Sequence, residues 1–256
     1  MRLQTALAII LPLFTCCQLP SSEVSSQESV VNTNPYHTIG EIPVPKGFHR
    51  VAVNTGSFAA WLRQLPLKTG KTVYLYNGSP KRNQAAQFAV IDIPVGNKDL
   101  QQCADAVMRL RAEYLYSCHR YTDIDFADNN GTHYTFTGTG RDAFDKYLEK
   151  VFAWCGTLSL SHQLTSQQPG AMTAGDVLIQ GGSPGHAMLV ADMATDNEGH
   201  MIYLLAQSYM PAQDIHIVIN PMDHVLSPWY AADSNFPIAT PEWTFRINQL
   251  KTWPGR

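Results

Sequence analysis

The chain has 256 residues, 45% of them hydrophobic, and a formal net charge of −3. That apolar content supplies a real core and excludes disorder over most of the length. The weak acidic balance gives no footing for nucleic acid, and no apolar run reaches the roughly 18 residues of a membrane span.

The first segment, MRLQTALAIILPLFTCC, has one positive charge, a short apolar run and two cysteines. It reads as a secretory signal removed on export. Its end, Leu13-Phe14-Thr15-Cys16, resembles a bacterial lipobox, with Thr15 where Gly, Ala or Ser is usual; Phe14-Thr15-Cys16-Cys17 is the other register. The resemblance implies a signal over residues 1–16, acylation at Cys16 and a membrane anchor, hence a cell-envelope protein facing the periplasm or the surface. Residues 17–39, with SSEVSSQESVVNTNP, are polar and aperiodic and read as a tether. Residues 40–256 show no repeat and no composition break and read as one globular domain, taken as a monomer.

Within that domain, residues 40–46 are Pro-rich and extended. VAVNTGSFAAWLRQLPL predicts a strand and a short helix over about 57–64, capped by Ser57 and ended before Pro66. TVYLYNGSP and AQFAVIDIPVG predict strands. DLQQCADAVMRLRAEYLYSC predicts the strongest helix, with Leu100, Cys103, Val107, Leu110 and Tyr114 at helical spacing. A capping-box-like start at Asp99 and Gln102 puts Cys103 about one turn in. IDFADNNGTHYTFTG predicts a hairpin turning at Asn130-Gly131, and RDAFDKYLEKVFAWCG a helix ended by Gly156. SHQLTSQQPGAMTAG reads as loop. DVLIQ, HAMLVADMA and MIYLLAQSY predict successive strands joined by GGSPG and TDNEGH, with DIHIVI a candidate fourth. Helices first and antiparallel sheet after is an α+β pattern.

Three cysteines follow Cys16 and Cys17, so one at least lacks a partner within the chain; a bridge between Cys118 and Cys155 would leave Cys103. A thiol near a helix N-terminus gains thiolate character from the macrodipole and from a nearby imidazolium. Paired with a histidine base it can perform acyl transfer, with a third group fixing the tautomer. His186, first after GGSPG, is the candidate base. The antiparallel return of MIYLLAQSY brings Gln207, ahead of Ser208, to its level. Asp192 shares the face of His186 by parity but lies six residues away, roughly 20 Å. An oxyanion hole would use the Cys103 N–H and an adjacent amide, Gln101 or Gln102, although Gln102 also suits a capping role.

Blander readings compete. Cys103 falls on an apolar stripe and could be core. Arg109, Arg111 and Glu113 read as a solvated helix face. Trp229, Tyr230 and Trp243 could stack on a glycan or peptide, or pack the C-terminal segment onto the sheet. The nine histidines show no clustered metal spacing, so no metal and no cofactor are expected.

DLQQCADAV, GDVLIQ, GHAMLVADM and LLAQSY stand in the order of the parts of NlpC-type cysteine peptidases of the papain-like group, over about 110 residues. Gln102-Cys103 replaces their usual Asp-Cys. This resemblance implies a papain-like central part, Cys103 as nucleophile, His186 as base, Gln207 as orienting residue and peptidoglycan peptides as substrate. DLQQCADAVMRLRAEYLY, GDVLIQGGSPGHAMLVADMA, LLAQSYMPAQDIHIV and PWY…TPEWTF resemble more closely a Bacteroidota secreted lipoprotein family described as domain of unknown function 4846. That second resemblance implies an envelope lipoprotein and no particular activity. The competing expectation is a binding lipoprotein without catalysis, holding glycan or peptide with Trp229, Tyr230 or Trp243.

Overall fold

The computed structural model describes residues 33–232 and 237–255. The signal segment, Cys16 and most of the expected tether lie outside them. The fold is already under way at the end of that tether. Asn34 is buried, its amide donating to the carbonyls of Tyr36 and Lys68, and Ile39 is a core residue.

The helices are α1 (Phe58–Arg63), α2 (Cys103–Ser117), α3 (Arg141–Trp154) and α4 (Thr157–Gln163). In chain order the strands begin with β1 (His49–Arg50), β2 (Gln87–Val90), β3 (Asp125–Ala127), β4 (His133–Thr135), β5 (Thr165–Ser166) and β6 (Val177–Gln180). The long pair β7 (His186–Thr195) and β8 (Met201–Gln207) follows, then β9 (His216–Val218), β10 (Tyr230–Ala231), β11 (Ile238–Ala239), β12 (Thr244–Phe245) and β13 (Leu250–Thr252). Nine of them make one antiparallel sheet in the order β2-β9-β8-β7-β6-β13-β5. β1 pairs with β7 beyond the end of β6, and β10 with β8 beyond the end of β9. The protein is α+β. Sequence pattern missed α4, which starts directly after Gly156, where the Gly156 N–H donates to Ser159 Oγ.

β7 is buried from His186 to Ala194 because both faces are covered. One face presents Ala187, Leu189 and Ala191 to the cluster that holds Val107 and Leu110 of α2, and the small alanines let the helix approach. Met188, Val190 and Met193 pack on the other side with Tyr203, Phe245 and Leu250. A register shift between Val190 and Asp192 places an extra residue in β7. The bulge reverses the expected parity: Asp192 falls in step with Ala194, opposite Met193, and leaves the face of His186. There it accepts from Arg50 Nε at 2.7 Å and Arg63 Nε at 2.5 Å, with no solvent exposure of its own.

α2 begins at Cys103 itself, not a turn earlier. Gln102 is the N-cap, and its backbone N–H donates to Asp105 Oδ2 at 2.9 Å. A carboxylate three residues past the cap takes up an orphan N–H better than the expected Asp99 start. Asp99 instead accepts from the Gln102 amide and from the Ala212 N–H. The solvated-face reading of α2 also fails. Arg109 is buried and donates to Pro94 O and Gln101 Oε1, while Glu113 is paired with Arg141.

Removing the charge of Asp192 leaves two guanidinium groups facing each other without their counter-ion. Asp192→Asn is expected to lower unfolding free energy by about 3–5 kcal/mol, read from urea unfolding; a loss below about 1 kcal/mol would mean the arginines find other acceptors.

Candidate active site

The turn before β7 packs against the start of α4, and this fixes where His186 emerges. A Cβ on Gly185 would stand 2.3 Å from Gly182 O and 2.4 Å from Thr157 Oγ1, so only glycine fits. Thr157 Oγ1 donates to Gly182 O at 3.1 Å and closes the turn. His186 and Cys103 then line one cavity of about 430 Å³. Gln102, Asp105, Cys155, Tyr209 and Trp243 also face it. No hydrogen bond joins the thiol to the imidazole. The sulfur lies instead beside the backbone N–H of Ala187, the residue after His186.

The imidazole of His186 is held from behind. Its Nε2 lies 3.0 Å from Gln207 Oε1. The Gln207 amide nitrogen lies 2.7 Å from Glu242 Oε2 and 3.2 Å from His216 Nε2. An ionised carboxylate only accepts, so the amide must present N–H to Glu242. His216 Nδ1 lies 2.9 Å from Asp214 O, a carbonyl, so Nδ1 carries the proton and Nε2 accepts. Both amide hydrogens are thus committed, and Oε1 is left for His186. It follows that His186 is protonated on Nε2 and offers the Nδ1 lone pair. Lys81, itself buried, donates to Glu242 Oε2 and neutralises it. The ring packs against Trp243 at 5.2 Å and Tyr209 at 4.9 Å between centroids.

Burial dominates the electrostatics. It pushes the Cys103 thiol up to about 11 despite the Ala187, Ala104 and Cys103 N–H groups that favour the thiolate. It brings the His186 imidazole down to about 4, against the raising effect of Gln207. His216 falls to about 3, again through burial first. The Asp105 carboxyl, buried beside the sulfur, rises well above the usual carboxylate range, and its Oδ1 has no hydrogen-bond partner. The resting pair is therefore neutral thiol and neutral imidazole. The expectation of a helix-stabilised thiolate is corrected.

The structure brings Cys103, His186, Gln207 and Gln102 to one place. As the first helical residue, Cys103 has an N–H outside the intrahelical ladder. Gln102 spends one amide hydrogen on Asp99 Oδ1 at 3.1 Å. Gln101 is turned inward against Arg109 and Gln213 O, and Ser208 Oγ lies against the carbonyls of Gln101 and Gln213. Trp243 borders the cavity, but Trp229 and Tyr230 are core residues. The indole of Trp229 donates to Pro43 O and the hydroxyl of Tyr230 to Ile219 O, so the expected groove of three aromatics reduces to Trp243. Cys118 and Cys155 are not bridged; Cys103, Cys118 and Cys155 are all free thiols. Among the described residues, Asp196, Glu198 and His200 stand close enough to share an ion. They lie in an exposed turn where Asp196 already accepts the N–H groups of Glu198 and His200.

Sequence reasoning missed Glu242, His216 and Lys81. His216 had a signal, since it pairs with Gln207 across β8 and β9. Glu242 and Lys81 arrive from segments 35 residues after and 126 residues before Gln207, and nothing local marks them.

The fold and site define an α+β protein in which a helix-start cysteine shares a cavity with a strand-borne histidine that a glutamine on the next strand holds. The chain belongs to the family described as domain of unknown function 4846, whose model matches residues 39–140 and 134–252. No curated protein and no solved structure matches it.

The two buried histidines make the fold sensitive to acid. The unfolded chain takes up protons near 6.5 that the folded chain refuses until about 4 at His186 and about 3 at His216. The contribution of these histidines is full above 6.5 and is lost as pH drops toward their folded values, while the raised Asp105 carboxyl acts in the opposite sense. Urea unfolding is expected to show this fall between pH ~7 and pH ~4.5, with a smaller fall in His216→Gln; an identical slope in the variant would contradict it.

Proposed function

We propose that this chain is a cell-envelope lipoprotein, anchored through Cys16, with cysteine amidase or peptidase activity on peptidoglycan-type peptides. Cys103 attacks the carbonyl carbon while His186 Nδ1 takes the thiol proton. The tetrahedral intermediate collapses as His186 returns that proton to the leaving amine. Water, deprotonated by the same nitrogen, then releases the acid and restores the thiol. Gln207 orients the ring, and the Cys103 N–H with the free Gln102 amide hydrogen faces the oxyanion. The observation that carries this reading is the donor count behind His186, which leaves its Nδ1 lone pair uncommitted on a ring that lines the same cavity as Cys103. The order of helix and strands resembles the papain-like arrangement and supports the same roles. A hydrogen bond absent without substrate is compatible with catalysis, since such contacts tighten in the Michaelis complex.

The second reading is a binding protein on the same scaffold, holding a peptide or glycan against Trp243. The thiol raised to about 11 favours it.

Two measurements separate the readings. With muropeptides, catalysis predicts hydrolysis that Cys103→Ala abolishes and His186→Ala lowers by roughly 10²–10⁴-fold in kcat. Binding alone predicts no turnover and equal affinity in Cys103→Ala. Alkylation followed by mass spectrometry should label the exposed Cys118 first, with Cys103 rising only in alkaline solution unless a substrate analogue is bound. Hydrolysis undiminished in Cys103→Ala would end the catalytic proposal.

A further inference from the structure

A second cavity, of about 550 Å³, opens at the other end of the α2–β7 contact. It does not include Cys103 or His186. Its walls are mainly apolar, with Val51, Phe58, Ala174 and the thioethers of Met172, Met193 and Met201. Methionine walls are polarisable and adapt to flexible apolar guests. The volume lies within the range of small-molecule sites, roughly 300–1,000 Å³.

Three arginines, Arg63, Arg111 and Arg120, line this cavity, and no Asp or Glu does. Two of the three are satisfied elsewhere. Arg63 is held by Asp192 and by the carbonyls of Val51 and Met193. Arg120 pairs with Asp123 near the surface. Arg111 differs. Its guanidinium lies over the rings of Phe58, Tyr114 and Trp253, with Cζ at 5.2, 5.5 and 5.4 Å from their centroids. Among the described residues no carboxylate or carbonyl accepts from it. None of its nitrogens is sealed off, in contrast to Arg109 Nε. Burial lowers its pKa, and the more distant charge of Asp123 offsets this only in part. Aromatic faces screen the flat sides of a guanidinium but leave its five N–H bonds, all in the edge plane, without protein acceptors. A partly desolvated cation in that condition is costly, and an anion at the edge removes the cost.

We propose that this cavity is a binding site for an amphipathic carboxylate of fatty-acid type, with the carboxylate on the edge of Arg111 and the chain against Met172, Met193 and Met201. The apolar walls require a guest with a hydrocarbon body. The excess of cations over anions requires a negative head. Carboxylate suits the site because a guanidinium edge presents two parallel N–H donors to its two oxygens. The site is independent of the proposed hydrolase reading and stands whether or not Cys103 is catalytic.

Isothermal titration of the intact protein tests it with three probes: decanoate, 1-decanol and inorganic phosphate. Decanoate should bind with one-to-one stoichiometry. Decanol and phosphate should each bind at least tenfold more weakly, since each lacks one half of the recognition. Arg111→Met should weaken decanoate roughly ten- to a hundredfold, as expected for loss of a charge-assisted pair. Arg111→Lys should fall between, keeping charge but losing the fork. Cys103→Ala should bind as the native protein does. Should Arg111→Met fail to fold, the lysine variant and the decanoate-to-decanol ratio on native protein still decide. Absence of decanoate binding overturns the proposal, as does decanol binding equally well, phosphate binding equally well, or an affinity indifferent to Arg111.

Discussion

A primary amide has one accepting and one donating end, and the direction in which Gln207 points its amide decides what His186 can do. Reversed, the amide would set its oxygen against Glu242 and its N–H groups toward His186, forcing Nε2 to accept and Nδ1 to carry the proton. Glu242 forbids this, because two oxygens at 2.7 Å would repel. The carboxylate is itself tolerable there only because Lys81 neutralises it at 2.5 Å. A chain of four side chains, Lys81, Glu242, Gln207 and His186, therefore ends in a single tautomer. His216 takes the remaining hydrogen. The aromatic packing of Trp243 and the closure of β11 on β12 bring Glu242 into this chain, so the irregular C-terminal segment serves the geometry of the site.

The same burial that fixes the tautomer removes the ion pair. A helix N-terminus stabilises a nearby anion by roughly 0.3–1 kcal/mol. A thiol raised from 9.0 to about 11 has been disfavoured as thiolate by roughly 3 kcal/mol, so desolvation outweighs the dipole here. The site thus rests as a neutral pair, and in the reaction we propose the proton would move only as the carbonyl receives the electrons. A neutral resting state also protects the thiol, since the thiolate is the form that oxidises and alkylates.

Much of this was legible in the sequence, for identifiable reasons. HAMLVADMA and MIYLLAQSY are long apolar runs separated by a strong turn, so their antiparallel pairing and the approach of Gln207 to His186 follow from local pattern. The start of α2 was misplaced because Asp99–Gln102 and Gln102–Asp105 share the same capping spacing and only packing decides between them. Asp192 was put on the wrong face because a bulge has no reliable sequence mark, yet it inverts every residue beyond it. The burial of Trp229 and Tyr230 depends on β10 joining β8, a contact between segments about 27 residues apart with no shared signal. Glu242 and Lys81 were invisible for the same reason: long-range polar partners are chosen by tertiary geometry, not by spacing.

Cys103 and Arg111 sit on one rigid helix, eight residues apart, which is roughly 12 Å along its axis. Both cavities are therefore positioned by the same contact, the alanine-lined face of β7 against α2. The bulge at Asp192 gives that contact its second anchor. By turning Asp192 toward the helix side it draws Arg63 of α1 and Arg50 onto β7, and α1 brings Phe58 against Arg111 and Tyr114. Without the bulge the carboxylate would share the face of Met188, Val190 and Tyr203, a packed apolar layer. The extra residue in β7 thus does two things. It satisfies Arg50 and the cavity-lining Arg63 with one carboxylate, and it leaves Arg111 as a cavity arginine with no carboxylate of its own among the described residues.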